Sequence, residues 1–151
     1  MKSLYESIMD VDNNIDNFDQ NPSILLHGLF QSHKECISTT IDNFKLALDN
    51  ANAKIHKTTN RIKNSDNFFI QISPNPGYAF DFMLFKRYGS NWYIFIIDIN
   101  NPKIYSLIVD SWQSLQPNLS PKNTYLYEVP EQMNNLCKDI FHQAKQYEYG
   151  G

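Results

Sequence analysis

The chain has 151 residues, 42% hydrophobic and only 19% charged, which fits one globular domain and excludes a disordered chain. A formal net charge of -3 offers no basic excess for displacing counterions, which argues against nucleic acid as a partner. No run approaches the length of a membrane span, and Met1-Lys2-Ser3-Leu4-Tyr5-Glu6 lacks the apolar core of a leader, so the expected location is the cytoplasm.

Leu4, Ile8, Val11, Ile15 and Phe18 recur at alternating steps of four and three, the stripe of an amphipathic helix whose outer face is acidic. Within it, Asp10 to Asp16 resembles the opening of a calcium loop. Ile15 stands where that loop needs glycine and Asn21 where it needs a bidentate glutamate, so no metal is expected. Asn21-Pro22-Ser23 ends the stripe, and Pro22 suits the first turn of a second, very apolar helix around Gly28. Ser32-His33-Lys34-Glu35 reads as a capping box. After it, Ile37, Ile41, Phe44, Leu48, Ala51, Ile55, Thr58 and Ile62 keep the four-three spacing. One helix from His33 to Lys63 would be roughly 45 Å long, so it either kinks near Asp49-Asn50-Ala51-Asn52 or projects beyond the domain. Its seam is expected to pair with the first helix or, alternatively, with a second copy in a homodimer.

The centre of the chain is a run of strands. Phe68 to Ser73, Tyr78 to Phe85, Trp92 to Ile99 and Ile104 to Asp110 are rich in aromatic and β-branched residues and separated by turn residues, as in an antiparallel meander. Gly89-Ser90 suits a type II′ turn with glycine at positive φ. That register pairs Tyr88 with Asn91, Phe85 with Ile94, Met83 with Ile96 and Asp81 with Asp98. One face then carries Phe80, Phe82 and Leu84 against Phe95, Ile97 and Ile99, and is the expected core. The other, with Arg87, Phe85, Met83, Trp92, Ile94 and Ile96, is apolar in its middle and needs covering by the last helix, a second subunit or a partner. Residues 114–123, with Pro117 and Pro121, read as an extended loop, and residues 124–129 as a fifth strand. Pro130 opens a last helix with the apolar face Met133, Leu136, Cys137, Ile140, Phe141, Ala144 and Tyr147. Gly150-Gly151 reads as a plain end rather than a conjugation tail.

The chemistry-bearing patterns are few. Cys36 would need a base from His27, His33, His56 or His142, none of which lies in the meander, and both Cys36 and Cys137 read as buried thiols. No glycine-rich phosphate loop, nucleophile elbow or paired C-x-x-C occurs. Asp81 opposite Asp98 is the sharpest feature, because like charges facing across strands repel unless a cation or shared proton compensates. The expected fold is therefore a single α+β domain over 1–151: a helical part (1–63), a four- to five-stranded antiparallel meander (67–129) and a C-terminal helix (130–148). The expected function is non-catalytic protein binding, as a small acidic inhibitor, antidote or chaperone, with Asp81, Asp98, Arg87, Trp92 and Tyr105 as contact residues and no cofactor. The rival is a small enzyme or ligand pocket built on the paired carboxylates.

Overall fold

The computed structural model describes residues 21–73, 80–99, 103–119 and 125–147. The acidic stripe Leu4 to Phe18, the calcium-loop likeness and Gly150-Gly151 lie outside them. The described residues form an α+β fold. Helices α1 (Pro22–Leu29) and α2 (Lys34–Asn50) come first. Strands β1 (Phe69–Ile72), β2 (Phe82–Tyr88), β3 (Asn91–Asp98) and β4 (Lys103–Val109) follow, then the short helix α3 (Trp112–Leu115), β5 (Tyr125–Glu128) and α4 (Asn134–Ala144). The sheet is antiparallel throughout, in the order β4-β3-β2-β1-β5.

The central hairpin has the expected register: Tyr88 pairs with Asn91, Phe85 with Ile94 and Met83 with Ile96. Gly89 takes φ 64°, as the first central position of a type II′ turn requires. Alternation along the strands then sorts the side chains onto two faces. Phe82, Leu84, Phe95, Ile97 and Ile99 pack with Leu25, Leu29, Ile37, Phe44 and Leu48 of α1 and α2 and with Leu136, Cys137 and Ile140 of α4. Phe80 departs from the expected face. It stands before β2 begins, free of strand alternation, and packs in the cluster on the opposite face.

That opposite face is covered by the chain itself, and neither the last helix nor a second copy is needed for it. Phe69, Met83, Phe85, Trp92, Ile94 and Ile96 lie under Ile62, Leu115 and Leu119. Leu115 comes from α3 and Leu119 from just beyond the 3₁₀ turn Gln116–Asn118, where the prolines suggested only an extended loop. Ser111 caps α3, its hydroxyl accepting from the Ser114 N–H at 3.2 Å.

Ile62 reaches this face because the long helix stops early. At 17 residues α2 is modest, about 25 Å. Asn52 adopts φ 56°, a conformation asparagine tolerates. The Asn52 N–H donates to Asp49 O at 3.1 Å and the Ala53 N–H to Leu48 O at 3.0 Å, a Schellman end. The chain then runs along the outer edge of β5: Glu128 N–H donates to Lys54 O and His56 N–H to Leu126 O, both at 2.8 Å. The apparent seam is thus split. Ile37 to Leu48 serve one face of the sheet, Ile62 the other, and Ile55 is exposed. The capping box does not form either. His33 is the cap residue and no side chain caps α2, because the helix starts one residue later than the box requires.

At the start of the chain Asn21 accepts from Ser23 N–H at 2.7 Å and Pro22 occupies the first turn of α1, as expected. Gly28 marks where α1 crosses α2. A Cβ there would sit 2.2 Å from Thr40 Oγ1 and 2.9 Å from its Cγ2. Gly28→Ala is expected to destabilise by roughly 1 kcal/mol, since overpacking costs about 1–3 kcal/mol against about 1 kcal/mol regained in helix propensity. Adding Thr40→Ala should return most of the loss. Denaturant melts of both single variants and the double variant measure the coupling, and strictly additive losses would mean that the helices do not meet at this pair.

Candidate functional site

The five residues singled out from the sequence do not form one surface. Arg87 pairs with Trp92 near the turn end of the hairpin, and Asp81 and Asp98 lie at the other end. Asp81 and Arg87 are six positions apart along extended chain, about 20 Å. Trp92 is 1% exposed and packs against Phe85 and Trp112, so it is core. Tyr105 is half-buried against the same cluster. Arg87 is engaged within the chain: its guanidinium donates to the Asp66 carboxylate at 3.1 and 3.2 Å and to Asn64 O at 3.0 Å, tying the loop to β2. A small cleft of about 230 Å³ lies beside Arg87 and Trp92 on this face.

Asp81 is buried, and its Oδ2 accepts the Ile99 N–H at 2.6 Å. Burial raises its carboxyl above the ordinary value of 3.8; the Ile99 N–H opposes the rise, nearby Asp98 adds to it and Lys34 opposes it. The native state therefore holds this proton to a higher pH than the unfolded chain. Stability from this group is full below the ordinary value and is lost as pH rises through the raised one. Asp81→Asn can keep the bond to Ile99 and removes the buried charge. It is expected to be at least as stable as the parent at pH 7, with the advantage shrinking as pH falls toward 4. Asp81→Ala orphans the Ile99 N–H and should cost about 1–3 kcal/mol. Melting curves at several pH values check this. A less stable Asn variant at pH 7 would show that the ionised carboxylate is compensated.

A larger concavity lies elsewhere, on the helical face. Helix α4 turns Cys137, Ile140 and Ala144 onto the sheet, and its flank carries Lys138, Phe141, His142 and Lys145 beside the sheet. The Ser106 hydroxyl donates to Ala144 O at 3.3 Å and fixes the helix end over β4. The sheet extends past the helix at the hairpin end. There Tyr88, Tyr93, Ser106 and Ile108 line an open groove of about 720 Å³ together with that flank. Ile108 is 51% exposed and Tyr88 43%. The Tyr88 and Tyr93 rings meet edge-on at 4.8 Å. Burial pushes the Tyr88 phenol up from its ordinary value, with smaller contributions from Tyr93 and Cys137. Lys86 lies over the Tyr88 ring, 4.9 Å from its centre, and donates to Asp66 O. Burial lowers the Lys86 ammonium; Asp66 opposes the shift, and Lys138 and Arg87 lower it further.

Sequence reading missed this groove. The available signal was Lys138, His142 and Lys145 on one flank of the last helix, facing tyrosines at the turn end of a strand face otherwise read as core. Of the remaining candidates, Cys36 is exposed rather than buried, because α2 turns Ile37 and Thr40 inward in its place; Cys137 is buried and both thiols are free. His56 is buried and lies 3.1 Å from the Glu128 carboxylate, with its ring against Phe69. Among the described residues no group of three side chains is placed to hold a metal ion, and no helix is long and apolar enough to cross a membrane.

The class defined here is an α+β domain with a five-stranded antiparallel sheet, layered on one face by three helices. Neither family models, nor curated proteins, nor solved structures give a match to this chain.

Proposed function

We propose that the chain is a non-catalytic binding protein whose target is another protein, an inhibitor, antidote or chaperone by class, acting in the cytoplasm. The observation that carries this reading is the groove between α4 and the hairpin end of the sheet, where Ile108 and Tyr88 stay exposed. Monomeric domains rarely leave contiguous apolar surface uncovered unless something binds it. The rival reading, a pocket built on Asp81 and Asp98, draws less support: Asp81 is 6% exposed and its carboxylate is engaged by the Ile99 N–H.

A photo-crosslinking side chain at position 108 of the full chain, expressed in the native source, tests the proposal. The expected adduct is one protein recovered in stoichiometric amount, lost on Tyr88→Glu. Adducts with small molecules alone would replace it with the ligand-pocket reading.

A further inference from the structure

We propose that the groove receives an acidic amphipathic segment of the partner, with its apolar side chains on Tyr88, Tyr93 and Ile108 and its carboxylates on Lys138 and Lys145. The inference rests on the protein-binding reading above and adds the chemistry of the partner.

Charge complementarity carries it. Lys138 and His142 on one flank of α4, and Lys145 at its C-cap, follow one another at steps of four and three, spanning about 10 Å. Among the described residues no carboxylate lines the groove, and neither lysine has an ion-pair partner. Lys86 lies close enough to Lys138 for the two ammonium groups to repel, so the cationic field extends toward the hairpin. A positive rim on a chain of net charge -3 is a local departure, as expected where a surface steers one kind of partner. The floor sets the second requirement. Ile108 is 51% exposed and Tyr88 43%, so the occupant must bring apolar side chains as well as carboxylates. Carboxylates and apolar residues at helical spacing on one segment meet both demands. A single-stranded nucleic acid would use the tyrosines but leave Ile108 without a stacking partner, and it suits an acidic chain poorly.

The test uses the full chain and three fluorescent probes: a peptide of about fifteen residues with leucine at helical spacing and glutamate between, the same peptide with every glutamate changed to glutamine, and an oligothymidine. Anisotropy is expected to show the acidic peptide binding about tenfold more tightly than the glutamine version at low salt, with the gap closing as salt rises. Lys138→Glu with Lys145→Glu should abolish the preference, and Ile108→Glu should weaken both peptides about tenfold. All three positions are exposed, so these variants should fold, which circular dichroism checks. Equal affinity for the two peptides, no binding of either, or tighter binding of the oligothymidine would overturn the proposal. If the peptides fail while crosslinking at position 108 still captures one protein, the acidic partner is wrong and the protein-binding reading stands. If both fail, both fall.

Discussion

Phe82→Ala and Phe95→Ala are each expected to lose about 3–5 kcal/mol in denaturant melts. Both side chains are fully buried at the junction of sheet and helices. Phe82 meets the Phe44 ring of α2 at 5.2 Å and the Phe95 ring at 6.3 Å, both edge-on. Phe95 also meets Phe30, just past the end of α1, at 5.3 Å. Truncation removes the transfer free energy of a ring and opens a cavity that four elements would have to collapse together to fill. With total stability for such domains of about 5–15 kcal/mol, either variant is left close to unfolding. A change in midpoint without a change in slope is expected, because the unfolded surface is nearly the same. A loss below about 1 kcal/mol would mean that α1 and α2 do not pack on this face.

Trp92→Ala should lose a comparable amount, about 3–5 kcal/mol, although this residue lies on the face that the sequence left in need of a cover. Trp92 is 1% exposed, with Trp112 at 5.4 Å and Phe85 at 6.0 Å between ring centres. Its burial depends on α3 and the turn after it, so the variant reports whether that segment really seals the sheet. Trp112→Ala should cost less, since Trp112 is only half-buried. The chain has two tryptophans, so each variant leaves one reporter. The Trp112→Ala protein should show blue-shifted emission shielded from quenchers, and the Trp92→Ala protein should not. A cost under about 1 kcal/mol for Trp92→Ala, with easily quenched Trp92 emission in Trp112→Ala, would return Trp92 to the surface as a contact residue.

How much was legible depended on how local each signal was. The hairpin register was readable because Gly89 sets the turn and strict alternation sets the faces; a slip by one residue would have put Phe82 and Phe95 on the wrong side. Helix α1 was readable from Asn21 and Pro22, whose roles are complete within one turn. The end of α2 was half readable. Asp49-Asn50-Ala51-Asn52 marked a weak point, but the four-three spacing ran straight through it to Ile62, and spacing records only which residues are apolar, not which core they join. The expected pairing of Asp81 with Asp98 does not extend that far: the ladder ends at Phe82 and Ile97, Asp98 pairs with Lys103, and Asp81 instead binds the Ile97 carbonyl and the Ile99 N–H, which depends on how the chain continues past the paired residues.

The sequence by itself determined the α+β class, the meander, the paired positions of its central hairpin, the start of α1 and the apolar face of α4, since turn chemistry and periodicity act over a few residues. Tertiary structure alone decided what covers the second face of the sheet. It took the chain along the edge of β5, set Ile62 and Leu115 over Trp92 and used Arg87 to hold the loop in place. It also decided where surface remains open. The groove lies between the flank of α4 and the hairpin end of the sheet, where Tyr88 and Ile108 stand beside Lys138 and Lys145. These residues are far apart along the chain, and only the packing of α4 against the sheet brings them to one uncovered place.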